Sequence, residues 1–287
     1  MKIKEFETFV VGNPPPRFGG RYFLFVKLVT DTGIVGYGEV YAATFGAETI
    51  AGMIADTAER HVVGHDPFHI EALFHRVYGS GYSLRPDISL VGVLSGLEMA
   101  CWDIIGKACD KPVYELLGGQ VHDRLRTYTY LYPADGDVYP SDQDDQHIYV
   151  NADVAAQRAL DYVEQGFTAV KFDPAGAYTV YDGGMPTLEE LDRSERFVTT
   201  IRAAVGDRAD LLFGTHGQFT AAGALRLAKR LEASDPLWFE EPTPPENTRE
   251  MARVAAGTTI PVATGERLCT KHEFARVLQA GAAAILQ

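Results

Sequence analysis

Four short stretches in the second half of the chain set ionisable side chains directly after apolar runs: AVKFD (169–173), LLFGTHG (211–217), LWFEEP (237–242) and VATGE (262–266). The groups so placed are Lys171 and Asp173, His216, Glu240 and Glu241, and Glu266. Carboxylates brought together from neighbouring strands, Glu240 and Glu266, make a hard oxygen donor set of the kind that holds Mg²⁺. Ion pairs with nearby lysines are the competing reading of the same acids. Lys171 and Asp173 stand two apart, so both leave one face of a strand, either as proton-transfer groups or as a simple ion pair. His216 stands where its apolar run stops, as a ligand, an acid, or a histidine satisfied within the core.

Such groups need elements to aim them. After Val121 the chain repeats a strand, a loop and a helix: TAVKFDP, then a helix opened by Thr187 with early acids, then DLLFGTHG, and onward to a last strand in AAAILQ. Six strands with five intervening helices at this spacing predict a parallel (β/α) barrel, in which reacting groups sit at the carboxyl ends of strands. A doubly wound sheet is the alternative, weakened because no GxGxxG follows the first strand. The chain ends inside the sixth strand. It is therefore read either as a fragment of a longer gene product or as completed by another chain; a homo-oligomer is expected.

The first part has a different rhythm. KIKEFETFVV, RYFLFVKLVT and IVGYGEV read as strands, the last two joined by an Asp31-Thr32-Gly33 turn. Helical spacing of apolar residues follows from Ala47 to about Arg76 and from Ser89 to about Ala108. Pro112 and the Gly118-Gly119 pair then mark a stop. The domains predicted are an α+β unit over 1–120 and a partial barrel over 121–287.

Of the 287 residues, 46% are hydrophobic and 23% charged, ordinary for a folded globular protein. The net charge of −13 disfavours a nucleic-acid partner, and an anionic substrate would need a local cation to be held. Three scattered cysteines without a CxxC pair fit a reducing compartment. Neither a signal peptide nor a membrane-length apolar run is read, so the expected location is the cytoplasm, away from membranes.

Taken in order, SGLEMACWDIIGKACDKPVYELLGG (95–119), AVKFD, FEEP and TGER resemble the mandelate racemase branch of the enolase superfamily, over essentially the whole chain. The resemblance implies a capping domain over a barrel, and Mg²⁺ bound to a carboxylate substrate while a base removes the proton α to it. Removing that weakly acidic proton requires charge neutralisation at the developing ene-diolate. By similarity Glu240 and Glu266 are metal ligands, and Lys171 takes the first place of the family's paired lysines. His216 takes the place of the general acid of sugar-acid dehydratases. The loop PPPRFGG (14–20) takes the place of a specificity loop, making Arg17 a substrate contact, with Tyr41, Phe45 and Glu241 as further candidates around the substrate.

Two departures stand out. Gly214 falls where the family supplies an aspartate ligand, and Asp173 falls where it often has a second lysine. The expectation is that Asp173 or His216 completes the metal site, with His216 filling space that Gly214 leaves. The function implied is Mg²⁺-dependent dehydration of a sugar acid. A cycloisomerase or racemase acting on a sugar-acid lactone or anhydro sugar acid is the alternative, and an inactive barrel with a binding role is a third.

Overall fold

The computed structural model describes residues 1–15, 17, 19–41, 45–81, 87–133, 147–176 and 184–287. Pro16 and Phe18 of the PPPRFGG loop lie outside these residues. The chain divides into two compact units, Met1–Leu125 and Arg126–Gln287.

The first unit opens with β1 (Ile3–Gly12), β2 (Tyr22–Thr30) and β3 (Val35–Val40), an antiparallel sheet in that order. Period-2 burial along β2 places Leu24, Val26 and Leu28 inward. Gly33 takes a φ of 85° in the β2–β3 turn, a conformation that costs glycine little. Helices α1 (Ala47–His61), α2 (Ile70–Tyr78) and α3 (Ile88–Cys109) follow, then the single turn α4 (Val113–Leu116). The helical spacing read continuously to Arg76 is thus two helices. Gly64, at a φ of 80°, and Pro67 lie in the break between them.

Asp87 starts α3 by accepting from the backbone N–H groups of Ser89 and Leu90. The helix then lies directly on β3. A Cβ on Gly38 would come 1.9 Å from the Gly96 carbonyl, and one on Gly36 2.2 Å from that of Ala100, so this close approach requires glycine on the strand. By length and composition α3 could cross a membrane, but half of it is buried inside the protein.

The second unit is a six-stranded parallel sheet in the order β4-β5-β6-β7-β8-β9. The strands are β4 (Thr129–Tyr130), β5 (Ala169–Phe172), β6 (Asp210–Gly214), β7 (Trp238–Glu240), β8 (Val262–Thr264) and β9 (Ile285–Leu286). Five helices alternate with them: α5 (Ala152–Glu164), α6 (Leu188–Val205), α7 (Ala221–Leu231), α8 (Thr248–Gly257) and α9 (Thr270–Ala280). This is the (β/α) barrel order the sequence predicts, in six strands. The strand read across LRTYTYLYP is shorter than expected, pairing only Thr129 and Tyr130 with β5.

Side-chain caps set four of the five helix starts. Asn151, Thr187, Thr220 and Asn247 all accept backbone N–H groups of the following turn, and Thr187 with Glu190 forms a reciprocal capping box. The outward strand residues Val170, Phe172, Leu211, Phe213 and Phe239 pack with the helices in the larger core. On the other strand face Ala169, Leu212, Trp238 and Ala263 form a separate small layer.

Candidate active site

Alternation along the strands carries the inner layer up to the site. Two residues beyond Ala169, Leu212 and Trp238 come Lys171, Gly214 and Glu240, sharing their face. Gly214 pairs directly with Glu240 across the β6–β7 ladder, while Lys171 pairs with Leu212, one step below.

The Lys171 side chain climbs across that step. Its Nζ reaches 2.6 Å from Glu240 Oε2, with Glu240 wholly sealed from solvent and Lys171 nearly so. The ammonium also lies 5.7 Å from the centre of the Tyr128 ring, a cation–π distance. Apart from this ion pair neither oxygen of Glu240 accepts a hydrogen bond of good geometry among the described residues. A buried carboxylate so placed is held by charge alone, which is costly unless a cation stays beside it.

Gly214 is what admits the lysine. A Cβ built there would lie 2.7 Å from Lys171 Cε, 3.2 Å from Lys171 Cγ and 3.3 Å from Tyr130 Cε2. The space expected to be filled by His216 is therefore taken by the Lys171 stem.

Glu266 follows β8 through Gly265 and lies within reach of Glu240's charge. Burial, then that charge, pushes its carboxyl above the ordinary value. His216 Nε2 lies 3.6 Å from Glu266 Oε1. Burial, then the Lys171 and Arg267 cations, push the imidazole down to about 4, so His216 is neutral at pH 7. Lys171, Glu240, Glu266 and His216 thus form one connected group at the strand ends.

Asp173 and Glu241 make other contacts. Asp173, fully buried, accepts the Ala175 N–H at 2.8 Å on one oxygen and the Gln218 side-chain amide at 3.1 Å on the other. Burial nevertheless pushes its carboxyl up to about 7. Glu241, at a φ of 35°, accepts from Arg267 Nε at 2.7 Å and Thr264 Oγ1 at 3.3 Å, with Arg267 Nη2 at 2.5 Å. Burial again dominates over that pairing, pushing Glu241 up to about 7. Expected as a substrate contact, Glu241 has its carboxylate engaged within the protein. Arg17 and Tyr41 belong to the first unit, where both are exposed; Arg17 takes a left-handed φ of 58°.

The donor chemistry suits a hard divalent cation at two points: the sealed Glu240 carboxylate and the adjacent Glu266. At the third point it does not, because Gly214 offers no ligand. Among the described residues no three His, Cys, Asp or Glu side chains group to hold a metal ion, so the completion expected from Asp173 or His216 is not formed here. Gln218 and Arg267 were not singled out in the sequence. Gln218 carried a usable signal, standing two residues beyond His216 as Asp173 stands two beyond Lys171, whereas nothing local marks Arg267 as the partner of Glu241.

Comparison with known proteins follows the same lines. The model for the mandelate racemase / muconate lactonizing enzyme N-terminal domain matches residues 18–118, and that for the enolase C-terminal domain-like family matches residues 154–287. A D-galactonate dehydratase of Ralstonia nicotianae is 35% identical over 287 residues, all of this chain and 67% of the relative. A D-gluconate dehydratase of Thermoproteus tenax is 34% identical over 266 residues, 93% of this chain and 50% of the relative. The crystal structure of a mandelate racemase/muconate lactonizing enzyme from Sulfitobacter sp. superposes with a TM-score of 0.91 at 52% identity, covering this whole chain and 71% of that one.

Proposed function

The chain belongs to the mandelate racemase/muconate lactonizing enzyme family of the enolase superfamily, and from that premise we propose that it dehydrates a sugar acid of the aldonate class. The observation that carries this reading is the convergence of Lys171, Glu240, Glu266 and His216 at the carboxyl ends of β5 to β8. Relatives named as dehydratases of D-galactonate and D-gluconate support the substrate class.

In the reaction a general base accepts the proton α to the substrate carboxylate, the freed electron pair expels the β-hydroxyl, and a proton from His216 lets that hydroxyl leave as water. Glu240 and Glu266 are the residues that would hold Mg²⁺, which when bound supplies positive charge against the negative charge developing on the substrate carboxylate. The chain contributes the rest. Lys171 keeps a positive charge fixed in a water-poor layer, where it acts on developing anionic charge more strongly than in water. His216 presents Nε2 at the edge of the group and delivers a proton to the departing hydroxyl. Neutral in the free chain at pH 7, the imidazole has to take up a proton before it can donate one, and an anionic substrate beside it acts in that direction.

Incubating the full-length protein with Mg²⁺ and a panel of aldonates and aldarates tests the reading. Formation of a 2-keto-3-deoxy acid, detected as its semicarbazone, is the result expected. An isomeric product without loss of water would move the protein to a cycloisomerase or racemase.

A further inference from the structure

Asp173 stands on the site-facing side of β5, two residues beyond Lys171, yet makes its hydrogen bonds elsewhere. Its Oδ2 accepts Gln218 Nε2 at 3.1 Å, and Gln218 Oε1 in turn accepts the backbone N–H of His216 at 3.0 Å. Only one orientation of the Gln218 amide serves both ends, with NH₂ toward the carboxylate and C=O toward the peptide N–H. Asp173 Oδ1 is itself fixed by the Ala175 N–H at 2.8 Å. The three groups are all buried or nearly so, which makes each bond costly to leave unmade.

The same short segment is tied to the neighbouring strand as well. Thr215 Oγ1 donates to the Glu240 carbonyl, and the Gly217 N–H donates to the Glu241 carbonyl at 2.7 Å. His216 therefore sits between a backbone clamp on the β7 side and a side-chain clamp from the end of β5.

We infer that Asp173 is a positioning residue, which acts through Gln218 to hold the peptide of His216 so that its imidazole reaches the departing hydroxyl. This rests on the reading of His216 as the proton donor. It assigns Asp173 neither to the metal nor to the substrate.

The direction of one hydrogen bond can be reversed without changing the shape of the network. In Asp173→Asn alone, the new NH₂ faces either the Gln218 NH₂ or the Ala175 N–H, and one bond becomes a clash of donors. In Gln218→Glu alone, two carboxylates face each other. In the double variant Asp173→Asn/Gln218→Glu, the asparagine NH₂ donates to the glutamate, the glutamate's other oxygen accepts His216 N–H, and the asparagine C=O accepts Ala175 N–H. Every donor again meets an acceptor.

The test is a cycle of wild type, both single variants and the double variant, assayed in full-length protein at pH 8, above the value of about 7 for Asp173. Dehydration of an aldonate and exchange of its α-proton with deuterated water are measured side by side. Each single variant is expected to slow dehydration roughly tenfold or more, while α-exchange stays within about twofold and the double variant recovers most of the loss. The histidine ring NMR signals, assigned to His216 by comparison with His216→Ala, read the same placement without turnover. They should shift in both single variants and return in the double variant. A double variant no better than the singles, or exchange and dehydration falling together, overturns the inference. A wild type with neither reaction, but with ring signals that move and return as described, overturns the proposed function while upholding the clamp.

Discussion

Lys171 Nζ lies 2.6 Å from Glu240 Oε2, and it reaches there by running its stem over Gly214 on the strand between them. Three residues on three adjacent strands are thus interdependent. The glycine admits the lysine, the lysine compensates the acid, and the acid is sealed too deeply to stand without a cation.

Replacing the lysine should therefore make stability depend on a divalent ion. Lys171→Met leaves Glu240 buried and uncompensated, a loss of about 3 kcal/mol or more by the behaviour of broken buried pairs. Thermal melts with and without MgCl₂ check this. The variant is expected to melt lower than wild type without the ion and to gain more from it, since binding to the folded state alone stabilises by mass action. Equal responses to Mg²⁺ in both proteins would count against competition for Glu240.

Gly214→Asp is the complementary change. The new Cβ collides mainly with the flexible Lys171 stem and not with backbone, so the side chain should be displaced and the fold kept. A third carboxylate then faces Glu240 and Glu266, and divalent affinity by isothermal titration should rise roughly tenfold or more, as ligand charge count sets affinity in oxygen-donor sites. Gly214→Ala, which displaces the lysine without adding a ligand, should give a smaller gain.

Stability should fall as pH rises where Asp173 is concerned. Its folded-state value of about 7 stands above the ordinary 3.8, so the folded protein binds the extra proton between those values. The stabilisation is complete below the lower value and is lost as pH rises through the upper one, with a ceiling of roughly 4 kcal/mol. Urea unfolding at several pH values should therefore show a steeper decline from pH 4.5 to pH 8 in wild type than in Asp173→Asn. Parallel profiles would contradict the burial argument.

Arg267 and Glu241 give a purely structural expectation. Glu241 is sealed from solvent and Arg267 is partly open, so removing the arginine strands a buried carboxylate. Arg267→Met should cost about 3 kcal/mol. Glu241→Gln should cost less, because an amide needs no counter-charge. Denaturant midpoints of the two variants distinguish these cases.

Much of this was legible in the order of residues. Apolar runs ending in AVKFD, FEEP and TGER located the strand ends, because alternation in a strand fixes which side chains share a face, and Glu240, Glu266, Lys171 and His216 came out as neighbours. The partners of Asp173 and Glu241 were not legible. Asp173 is 45 residues from Gln218 and Glu241 is 26 from Arg267, and no periodic pattern joins residues whose meeting depends on loop geometry. Gly214 was legible as a missing ligand but not as the floor beneath a lysine, since that role appears only when the neighbouring strand is in register.

The proposed dehydration requires the Glu240–Glu266 end of the barrel to make the hydrogen beside a substrate carboxylate labile. Turnover of an aldonate carrying deuterium at C2 measures this directly, by mass spectrometry of product and recovered substrate with wild type and Glu240→Gln. Wild type should release the C2 deuterium to solvent at least as fast as keto acid forms, and Glu240→Gln should retain it. Keto acid that carries the full deuterium label moved to C3, or label lost equally fast from the Glu240→Gln reaction, would overturn this reading.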